Sequence, residues 1–277
     1  MKLLILGGGG MAGSMMVDYF RGHKSFELAW TTRDGREDSL PLDASDLEAV
    51  HRLIGEAKPE LIINCIGKLN RDAEEHPLEA YQVNGLLPHW LAYSASEIGA
   101  RLIHISSDCV FLGERGGYTE LDPPDGVTVY ARSKALGEVR DPQHLTIRTS
   151  IIGPDRNPKG IGLLQWFLGQ RGQVSGYSRV YWNGVTTLEL AKAVEFAAGR
   201  ADIGGLVHLL AAAPASKLEM LEWFKEAYGR DDISIVAAHE PMIDRTLSAV
   251  RRDWDYQAPS IPAMVQELAA WKQGGKG

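Results

Sequence analysis

The 277-residue sequence has few cysteines and lacks the common metal-binding and serine-hydrolase motifs. Its two cysteines, Cys65 and Cys109, each end an apolar run and lack CxxC or Cys/His spacing, and the eight histidines form no HxxxH or HxH pair. We therefore predict free thiols and no bound metal. A GxSxG segment is also missing, which removes the usual signature of serine hydrolases.

Basic blocks and long apolar runs are lacking as well. The formal net charge is −7, which disfavours a nucleic-acid or anionic-membrane partner. No apolar run approaches membrane-spanning length, and the apolar N-terminal segment is interrupted by glycines, Asp18 and Arg21, so no signal peptide is predicted. These absences favour a cytoplasmic globular protein, either an enzyme or a binding protein, that contacts neither nucleic acid nor a membrane.

The most distinctive segment is a glycine-rich turn near the start of the chain. An apolar run over residues 2–6 precedes glycines at positions 7, 8, 9, 10 and 13, and an amphipathic stretch follows over residues 14–20. This pattern predicts strand, tight turn and helix. A side chain at Gly7 or Gly10 would hold a phosphate away from the backbone N–H groups and the positive helix N-terminus. The turn therefore predicts a nucleotide site, with a flexible glycine loop as the alternative.

Strand and helix patterns alternate through the first part of the chain. Apolar runs predict strands, and amphipathic segments between them predict helices. The predicted strands are residues 2–6, 26–32, 61–66, 101–106 and 145–149, and the predicted helices are residues 14–20, 45–57, 77–98 and 129–139. Ser45 should cap its helix and Pro88 should kink or break the 77–98 helix.

This alternation predicts an α/β fold, a Rossmann-type doubly wound parallel sheet that binds ligands beyond the carboxyl ends of its strands. Gly7, Asn64, Ser107 and Arg148 should lie at that edge. Beyond about Pro154 the pattern weakens, with helices predicted at 162–170, 187–198, 217–228 and 262–273 and short strands at 206–209 and 233–236.

We predict two parts that pack directly on each other. Residues 1–153, with parts of 180–200, form the dinucleotide-binding domain, and residues 154–277 mainly form a smaller C-terminal substrate-binding lobe. The cleft between them is the natural substrate site.

Tyr130 and Lys134 are the strongest candidates for proton transfer. They are four residues apart on a predicted helix and therefore lie on one face. A nearby cation stabilises phenolate and lowers the pKa of a tyrosine, although this spacing also arises by chance. Ser107 follows a predicted strand, and its hydroxyl could hold a carbonyl oxygen together with Tyr130. The alternative for Ser107 is a cap or turn role with Asp108.

Together these residues resemble the extended short-chain dehydrogenase/reductases, and among them the dTDP-4-dehydrorhamnose reductase type of sugar-nucleotide reductase. The matching segments are the glycine turn and residues 42–43, 64–67, 83–84, 104–111, 130–134 and 148–150. The resemblance is specific to about Gly153 and fainter through residues 183–187 and 244–247.

The resemblance implies a hydride-transfer site. Tyr130 would protonate the reduced carbonyl oxygen, Lys134 would lower the pKa of Tyr130 and hold the nicotinamide ribose, and Ser107 would orient the carbonyl. Ser107 stands where these reductases commonly carry threonine, and either hydroxyl can serve. Asp43 would contact adenine. The implied cofactor-binding residues are Gly7, Gly10, Met11, Ala12, Gly13, Thr32, Arg33, Asp43, Ala44, Cys65, Ile66, Gly67, Asn84, Tyr130 and Lys134.

Charge at the end of the second predicted strand favours NADP(H) over NAD(H). An NAD-selective site has a carboxylate there for the ribose hydroxyls, whereas Thr32 and Arg33 occupy the position in this chain. Arg33 suits a 2′-phosphate. Asp34 weakens this preference, and the alternative is that Arg33 and Asp34 form a solvated loop.

The substrate implied by the resemblance is a nucleotide-linked 6-deoxy sugar that is reduced at its 4-keto group. Its diphosphate needs cationic or amide donors. The substrate-binding candidates are Lys68, Asp108, Val110, Arg148, Asn183 and Arg245, with Arg156, Lys159 and Arg179 as further cations that could equally be surface charges. Tyr177 and Trp182 could stack on a base or pack in the core.

Two alternative functions stay open. One is another extended-family activity on a sugar nucleotide, such as epimerisation coupled to reduction. The other is a non-catalytic NADP-binding regulatory subunit resembling that of methionine adenosyltransferase, against which the intact Ser107, Tyr130 and Lys134 argue. A homodimer is compatible with the sequence, which does not determine the oligomeric state.

Overall fold

The computed structural model of the protein describes residues 1–156 and 162–274. Its strands are β1 (Lys2–Leu6), β2 (Glu27–Thr32), β3 (Leu40–Pro41), β4 (Leu61–Asn64), β5 (Arg101–Ser107), β6 (Leu145–Thr149), β7 (Ile151–Ile152), β8 (Gly172–Tyr177), β9 (Val180–Trp182), β10 (Val185–Thr186), β11 (Gly205–His208), β12 (Ala215–Ser216), β13 (Ile233–Ala238) and β14 (Ile243–Asp244). Its α-helices are α1 (Met11–Arg21), α2 (Leu47–Ala57), α3 (Asn70–Glu75), α4 (Pro77–Ala80), α5 (Leu87–Glu97), α6 (Val129–Leu136), α7 (Leu163–Leu168), α8 (Thr187–Ala198), α9 (Lys217–Tyr228) and α10 (Ile261–Gly274).

Seven parallel strands form the main sheet in the order β11-β6-β5-β4-β1-β2-β3. The strand order reverses at β1, from which the chain builds outward to β2 and β3 on one side and to β4, β5, β6 and β11 on the other. The crevice beyond the carboxyl ends of β1 and β4 is therefore the place where such a sheet binds ligands. This topology confirms the predicted α/β fold class.

The core lies on both faces of this sheet. In β1, Leu3 and Ile5 pack with α1 and α8 residues, whereas Leu4 and Leu6 pack with α2 and α5 residues on the opposite face. Side chains alternate between the faces of a strand, so a strand covered on both sides must be apolar throughout. The continuous apolar runs in the sequence are explained by this double burial.

The predicted helix over 77–98 contains an insertion. Between α4 and α5 the chain forms one π-helical turn, Tyr81–Leu86, and Pro88 lies in the first turn of α5. Proline has no N–H to donate to the carbonyl of residue 84, so a widened turn accommodates the missing bond. The carbonyl of Asn84 instead lies against Gly137, where a Cβ would come within 1.9 Å of the Asn84 oxygen.

The predicted N-cap of α2 is wrong by one residue. Asp46, rather than Ser45, caps the helix by accepting a hydrogen bond from Ala49 N at 3.0 Å. The Ser45 hydroxyl donates to Asp43 Oδ1 at 2.7 Å instead. Neighbouring Ser and Asp residues compete for the same cap position, and the turn geometry decides between them.

The second half of the chain contributes to both parts of the molecule. Strand β11 forms the edge of the main sheet and α8 packs on α1, although both elements follow residue 153. The smaller lobe contains the parallel pair β8 and β13 and the three-stranded group β12-β9-β14. Several of these strands are two or three residues long, too short to leave a periodic pattern in the sequence.

Two searches of the described residues gave no result. Within residues 1–156 and 162–274, no helix is long and apolar enough to cross a membrane. In the same ranges, no three His, Cys, Asp or Glu side chains group in a way that could hold a metal ion.

Candidate active site

The glycine turn joins β1 to α1 and leaves the N-terminus of that helix open. Gly7 has φ +81°, in the left-handed region, and a Cβ there would lie 2.9 Å from Ile66 Cγ1. A Cβ at Gly13 would lie 2.1 Å from Gly7 O, so Gly13 is required for packing of the helix on the turn. Gly10 precedes α1 as its N-cap, and no side chain caps the helix there.

Gly9 and Gly10 differ from these two glycines, because the fold itself does not require them. A Cβ at either position would meet no atom closer than 3.6 Å. Their lack of side chains leaves the backbone N–H groups and the positive end of α1 accessible, which is what a bound diphosphate needs. The residues present therefore fit a dinucleotide cofactor.

A cavity of about 440 Å³, here called the nucleotide cavity, opens beside the turn. It is lined by most of the predicted cofactor residues: Gly7, Gly10, Thr32, Arg33, Asp43, Ala44, Cys65, Ile66 and Gly67. Lys68, predicted to bind substrate, also lines this cavity, and its Nζ is ion-paired to Asp72 and Glu79 at 2.9 and 3.1 Å. Lys68 therefore lies on the cofactor side of the molecule.

A second cavity of about 330 Å³, here called the reactive cavity, continues from the first. The two share Gly10, Cys65, Ile66 and Gly67 in their walls. The reactive cavity brings together predicted residues from four elements: Met11, Ala12, Ser107, Asp108, Tyr130, Lys134 and Trp182. A ligand that bridges both cavities would run from the adenine side of the sheet edge to Ser107 and Tyr130.

Ser107 and Tyr130 are positioned by the ends of β5 and α6. Thr128 caps α6 by accepting a hydrogen bond from Ala131 N at 3.0 Å, which places Tyr130 in the first turn. Ser107 Oγ accepts from Cys109 N at 3.1 Å and donates to Asp108 Oδ1 at 3.3 Å, so the cap role and the cavity position coexist. Burial raises the pKa of Tyr130, and a hydrogen bond with Ser107 opposes that shift. Tyr130 therefore keeps its proton at neutral pH.

Lys134 points from α6 toward β5. Its Nζ donates to Ile105 O at 2.8 Å and lies 3.5 Å from His104 Nε2. Burial lowers the pKa of Lys134 to about 8. Lys134 was expected to lower the pKa of Tyr130, but in this structure its ammonium is directed at the β5 backbone. Burial is the largest influence on the pKa of Tyr130, and it raises that pKa.

Arg148 is not brought to the cavity, contrary to prediction. It is fully buried, and its guanidinium donates to both carboxylate oxygens of Glu138, at 2.7 and 2.5 Å, and to His208 Nε2 at 2.9 Å. Its guanidinium carbon also lies 4.9 Å from the centroid of the Phe111 ring. All of these contacts are internal, so Arg148 supports the carboxyl ends of β5 and β6 rather than a ligand.

Val110 and Asn84, both predicted to contact ligand, instead support the structure around the cavities. Val110 is fully buried in a small cluster with Phe111 and Tyr118. The Asn84 side chain accepts from Lys68 N at 2.8 Å and donates to Lys68 O at 2.9 Å, so it holds the loop after β4 in place. Neither Val110 nor Asn84 lines the nucleotide cavity or the reactive cavity.

The other second-lobe candidates bind to the protein itself or are exposed, and they line neither the nucleotide cavity nor the reactive cavity. Asn183 binds both backbone groups of Leu247, at 2.7 and 2.9 Å, and fastens that segment to β9. Arg245 donates to Phe111 O at 2.9 Å and its charge acts on Asp108. The side chains of Arg179 and Tyr177 are largely exposed.

Arg156 lies on the cofactor side of the described structure. Arg156 pairs with Asp18 and Glu37 at 2.8 and 2.5 Å beside Gly8, Gly9 and Gly10, on the cofactor side. Lys159 lies outside the described residues.

Sequence reasoning missed two cationic residues. Lys217 begins α9 and lines the reactive cavity, where its Nζ lies 5.4 Å from the centroid of the Trp182 ring. Burial lowers the pKa of Lys217 to about 8, and the nearby Asp108 acts in the opposite direction. Arg36 lines the nucleotide cavity and the cavity beside Gly8–Gly10. Neither Lys217 nor Arg36 lies in a local sequence pattern that predicts a binding site.

Comparison with known proteins identifies the family. A family model described as the RmlD substrate binding domain matches residues 1–239. The chain is 34% identical over 165 residues to dTDP-4-dehydrorhamnose reductase of Mycobacterium tuberculosis, which covers 54% of this chain and 50% of that protein. It is 35% identical over 138 residues to methionine adenosyltransferase 2 subunit beta of Rattus norvegicus, covering 50% of this chain and 41% of that protein. The chain thus spans about half the length of these curated relatives.

A longer match is the probable low-salt glycan biosynthesis reductase Agl14 of Haloferax volcanii, 30% identical over 278 residues, with 91% of this chain and 88% of that protein covered. The solved structure of dTDP-4-dehydrorhamnose reductase from Bacillus anthracis in complex with NADP matches with a TM-score of 0.83, 19% identity and coverage of 98% and 99% of the two chains. At that identity the likeness shows the fold. The model match over most of the chain shows that it belongs to the RmlD substrate binding domain family.

Proposed function

We propose that this protein is an NADP(H)-dependent oxidoreductase that reduces the 4-keto group of a nucleotide-linked 6-deoxy sugar. One observation carries the proposal: Ser107, Tyr130 and Lys134 line one cavity that is continuous with the open glycine turn. The dTDP-4-dehydrorhamnose reductase relative supports the substrate class. The NADP complex of the Bacillus anthracis structure supports a nicotinamide dinucleotide. We further propose a cytoplasmic protein without a nucleic-acid or membrane partner, and a homodimer as its assembly.

The cofactor, when bound, supplies the hydride. The open N-terminus of α1 and the backbone at Gly9 and Gly10 hold its diphosphate. Ser107 orients the ketone oxygen, and Tyr130 donates its phenolic proton to that oxygen as negative charge develops. The raised pKa of Tyr130 suits this direction of reaction, because the phenol remains protonated across the neutral range.

Lys217 and Trp182 line the reactive cavity, and the charge of Arg245 acts on Asp108 in its wall, a combination that suits an anionic, ring-shaped substrate. Lys217 and Arg245 provide positive charge near Asp108, and Trp182 provides a flat apolar wall. Burial raises the pKa of Asp108, while Arg245 and Lys217 oppose that shift. We propose Lys217 and Arg245, rather than Arg148 and Asn183, as the substrate-lobe donors to a sugar nucleotide.

A second candidate function is favoured by one observation. The relative from Rattus norvegicus is a subunit of methionine adenosyltransferase 2, and it matches half of this chain. Under that reading the chain binds a dinucleotide and regulates a partner without turning over a substrate. The complete set of Ser107, Tyr130 and Lys134 supports the enzyme over this alternative.

The direct test is NADPH oxidation against a panel of nucleotide-linked 4-keto-6-deoxy sugars that vary in base and sugar. We expect consumption of NADPH with at least one panel member and a stereochemically single hydroxyl product. A coupled epimerase would give a product inverted at a second carbon, which NMR of the product resolves. If the protein binds NADPH but consumes it with no panel member, the regulatory reading is supported instead.

Cofactor preference should depend on Arg36 at least as much as on Arg33. Both side chains line the nucleotide cavity, but Arg36 also faces the cavity beside Gly8–Gly10 and is held there by Asp34 at 3.2 Å. Removing a charged donor to a 2′-phosphate costs about 1.5 to 3 kcal/mol, so Arg36→Ala should raise the KM for NADPH about 10- to 100-fold. The KM for NADH should change little.

The matched control is Arg52→Ala, because Arg52 is exposed on α2 and lines neither of these cavities. Arg33→Asp, measured with both cofactors, distinguishes the two arginines. An NADPH preference that survives both the Arg33→Asp and the Arg36→Ala substitutions would refute the proposed charge-based selectivity.

A further inference from the structure

Three buried side chains form a line of polar contacts behind the reactive cavity. Asn64 ends β4, His104 lies in β5 and Lys134 lies on α6. Asn64 and His104 are fully buried, and Lys134 is 4% exposed. Asn64 Nδ2 lies 3.0 Å from His104 Nδ1, and His104 Nε2 lies 3.5 Å from Lys134 Nζ. The proposed reaction uses Lys134 and leaves the other two side chains unexplained.

The backbone fixes which way the Asn64 amide faces. Its Oδ1 accepts a hydrogen bond from Ile66 N at 3.0 Å, so the group directed at His104 is Nδ2, which only donates. Nδ1 of His104 must therefore accept. Burial, and after it the charge of Lys134, lowers the pKa of His104 well below its usual value, so the ring is neutral. A neutral ring that accepts at Nδ1 carries its proton on Nε2.

The Nε2–H group faces Lys134 Nζ. An ammonium group has only donors, so it is disfavoured opposite another donor, whereas an amine has a lone pair that accepts. We propose that Asn64 fixes His104 as the Nε2–H tautomer, and that this tautomer favours release of the Lys134 proton by stabilising the amine left behind. The amine keeps its other contact, because it still donates to Ile105 O.

The other titratable groups around Lys134 do not replace this effect. Glu138 lies just beyond α6, and its charge raises the pKa of Lys134 and so opposes burial, although its carboxylate is paired with Arg148. Burial raises the pKa of the Cys65 thiol to about 12, so the thiol is neutral. Tyr130 is likewise neutral, and His89 acts from α5 on His104 rather than on Lys134. Burial and the His104 donor are therefore the influences that favour the amine.

This inference gives the proposed reductase a source for the second proton, and in that respect it rests on the proposed function. Tyr130 gives its phenolic proton to the carbonyl oxygen and becomes a phenolate. Lys134 lines the same cavity as Tyr130. One proton from Lys134 Nζ then restores the phenol across that cavity, so the ammonium becomes an amine held by His104 and Ile105 O. Asn64 and His104 touch neither substrate nor cofactor in this scheme and act as positioning residues through Lys134.

Ring 15N NMR of the full-length protein tests the tautomer without any substrate. We expect His104 to carry its proton on Nε2. His208 supplies an internal reference of the opposite kind, because its Nδ1 faces Ser248 O at 2.8 Å and its Nε2 accepts from Arg148, which requires a proton on Nδ1. The His104→Phe variant assigns the signals. A proton on Nδ1 of His104 in the parent protein would overturn the proposal.

The Asn64→Asp substitution tests the consequence for Lys134. Aspartate still accepts from Ile66 N but accepts from His104 as well, which moves the ring proton to Nδ1 and leaves Nε2 as an acceptor for the ammonium. The alkaline limb of kcat/KM for ketone reduction, expected near pH 8 from the pKa of Lys134, should move upward by about one unit. The His104→Phe substitution removes the donor without adding charge and should move the limb in the same direction.

Each outcome of this pair has a distinct meaning. A limb that moves in Asn64→Asp while the ring keeps its proton on Nε2 would show a charge effect alone and overturn the proposal. So would an unchanged limb in both variants. If no substrate is ever turned over, titration of the Lys134 13Cε signal gives the same comparison, so failure of the reductase proposal stays separate from failure of this one.

Discussion

Replacing Tyr130 with Phe should lower the rate of ketone reduction by about 10²- to 10⁴-fold while leaving NADPH binding intact, a loss typical of removing a general acid. The substitution deletes one hydroxyl and keeps the ring that lines the reactive cavity. The glycine turn and the nucleotide cavity are formed by other residues, so the Kd for NADPH should stay within about twofold.

The measurement pairs steady-state reduction with fluorescence titration of NADPH. Tyr93→Phe is the matched control. Tyr93 is exposed on α5, and its hydroxyl donates to the side chain of Glu97. The control should retain the parent rate. Full reductase activity in Tyr130→Phe would refute the catalytic assignment, whereas loss of NADPH binding would indicate a structural role for the phenol.

Replacing Arg148 with Met should destabilise the protein by about 3 kcal/mol, near the lower end of the usual cost of breaking a buried ion pair. Both side chains are essentially inaccessible, at 0% for Arg148 and 1% for Glu138. The carboxylate would keep Ser106 Oγ as a donor at 3.0 Å and the half-exposed Arg140 at 3.5 Å, but it would lose the buried guanidinium that binds both of its oxygens. In a chain of this size we expect the Tm to fall by roughly 10 °C.

Urea unfolding measures the loss, and Arg52→Met provides an exposed control on α2. The double variant Arg148→Met with Glu138→Leu should be more stable than Arg148→Met alone, because the buried carboxylate that lost its guanidinium is then removed as well. The folded fraction of Arg148→Met should keep its KM for the sugar nucleotide. An unchanged stability with a raised substrate KM would restore the original prediction that Arg148 contacts substrate.

These two experiments separate residues that looked alike in the sequence. Tyr130 is on a predicted helix and Arg148 is near the end of a predicted strand, and both belong to segments that match family motifs. In the structure, Tyr130 lines the reactive cavity, while Arg148 faces Glu138 and His208 from inside the sheet edge. A position at a strand end therefore does not by itself give a side chain access to ligand.

Local sequence patterns were sufficient to predict the fold class, the glycine turn and the helix face shared by Tyr130 and Lys134. Continuous apolar runs gave β1 and β4, because strands covered on both faces need not alternate apolar and polar residues. The spacing of glycines gave the turn at Gly7, whose φ is positive. The spacing of Tyr130 and Lys134 placed both on one helix face, since a step of four residues is slightly more than one turn of an α-helix.

The rest was beyond local pattern, because it depends on contacts between residues far apart in the chain. Lys217 enters the reactive cavity only because α9 packs beside it, and its helix start carries an ordinary capping box in the sequence. Asn84 holds Lys68 across 16 residues, and the ring of His104 is oriented by Asn64 across 40. Such long-range contacts leave no periodic pattern in the sequence.

The sequence by itself thus determined the α/β class and the position of the glycine turn, since these follow from hydrophobic period and backbone sterics. Its side-chain chemistry and family resemblance made Ser107, Tyr130 and Lys134 the proposed catalytic set. Only the tertiary structure decided which charges face a ligand and which face each other. Burial and pairing set the proton affinity of Lys134 and removed Arg148 from the site. Both effects arise from neighbours that the fold alone brings together.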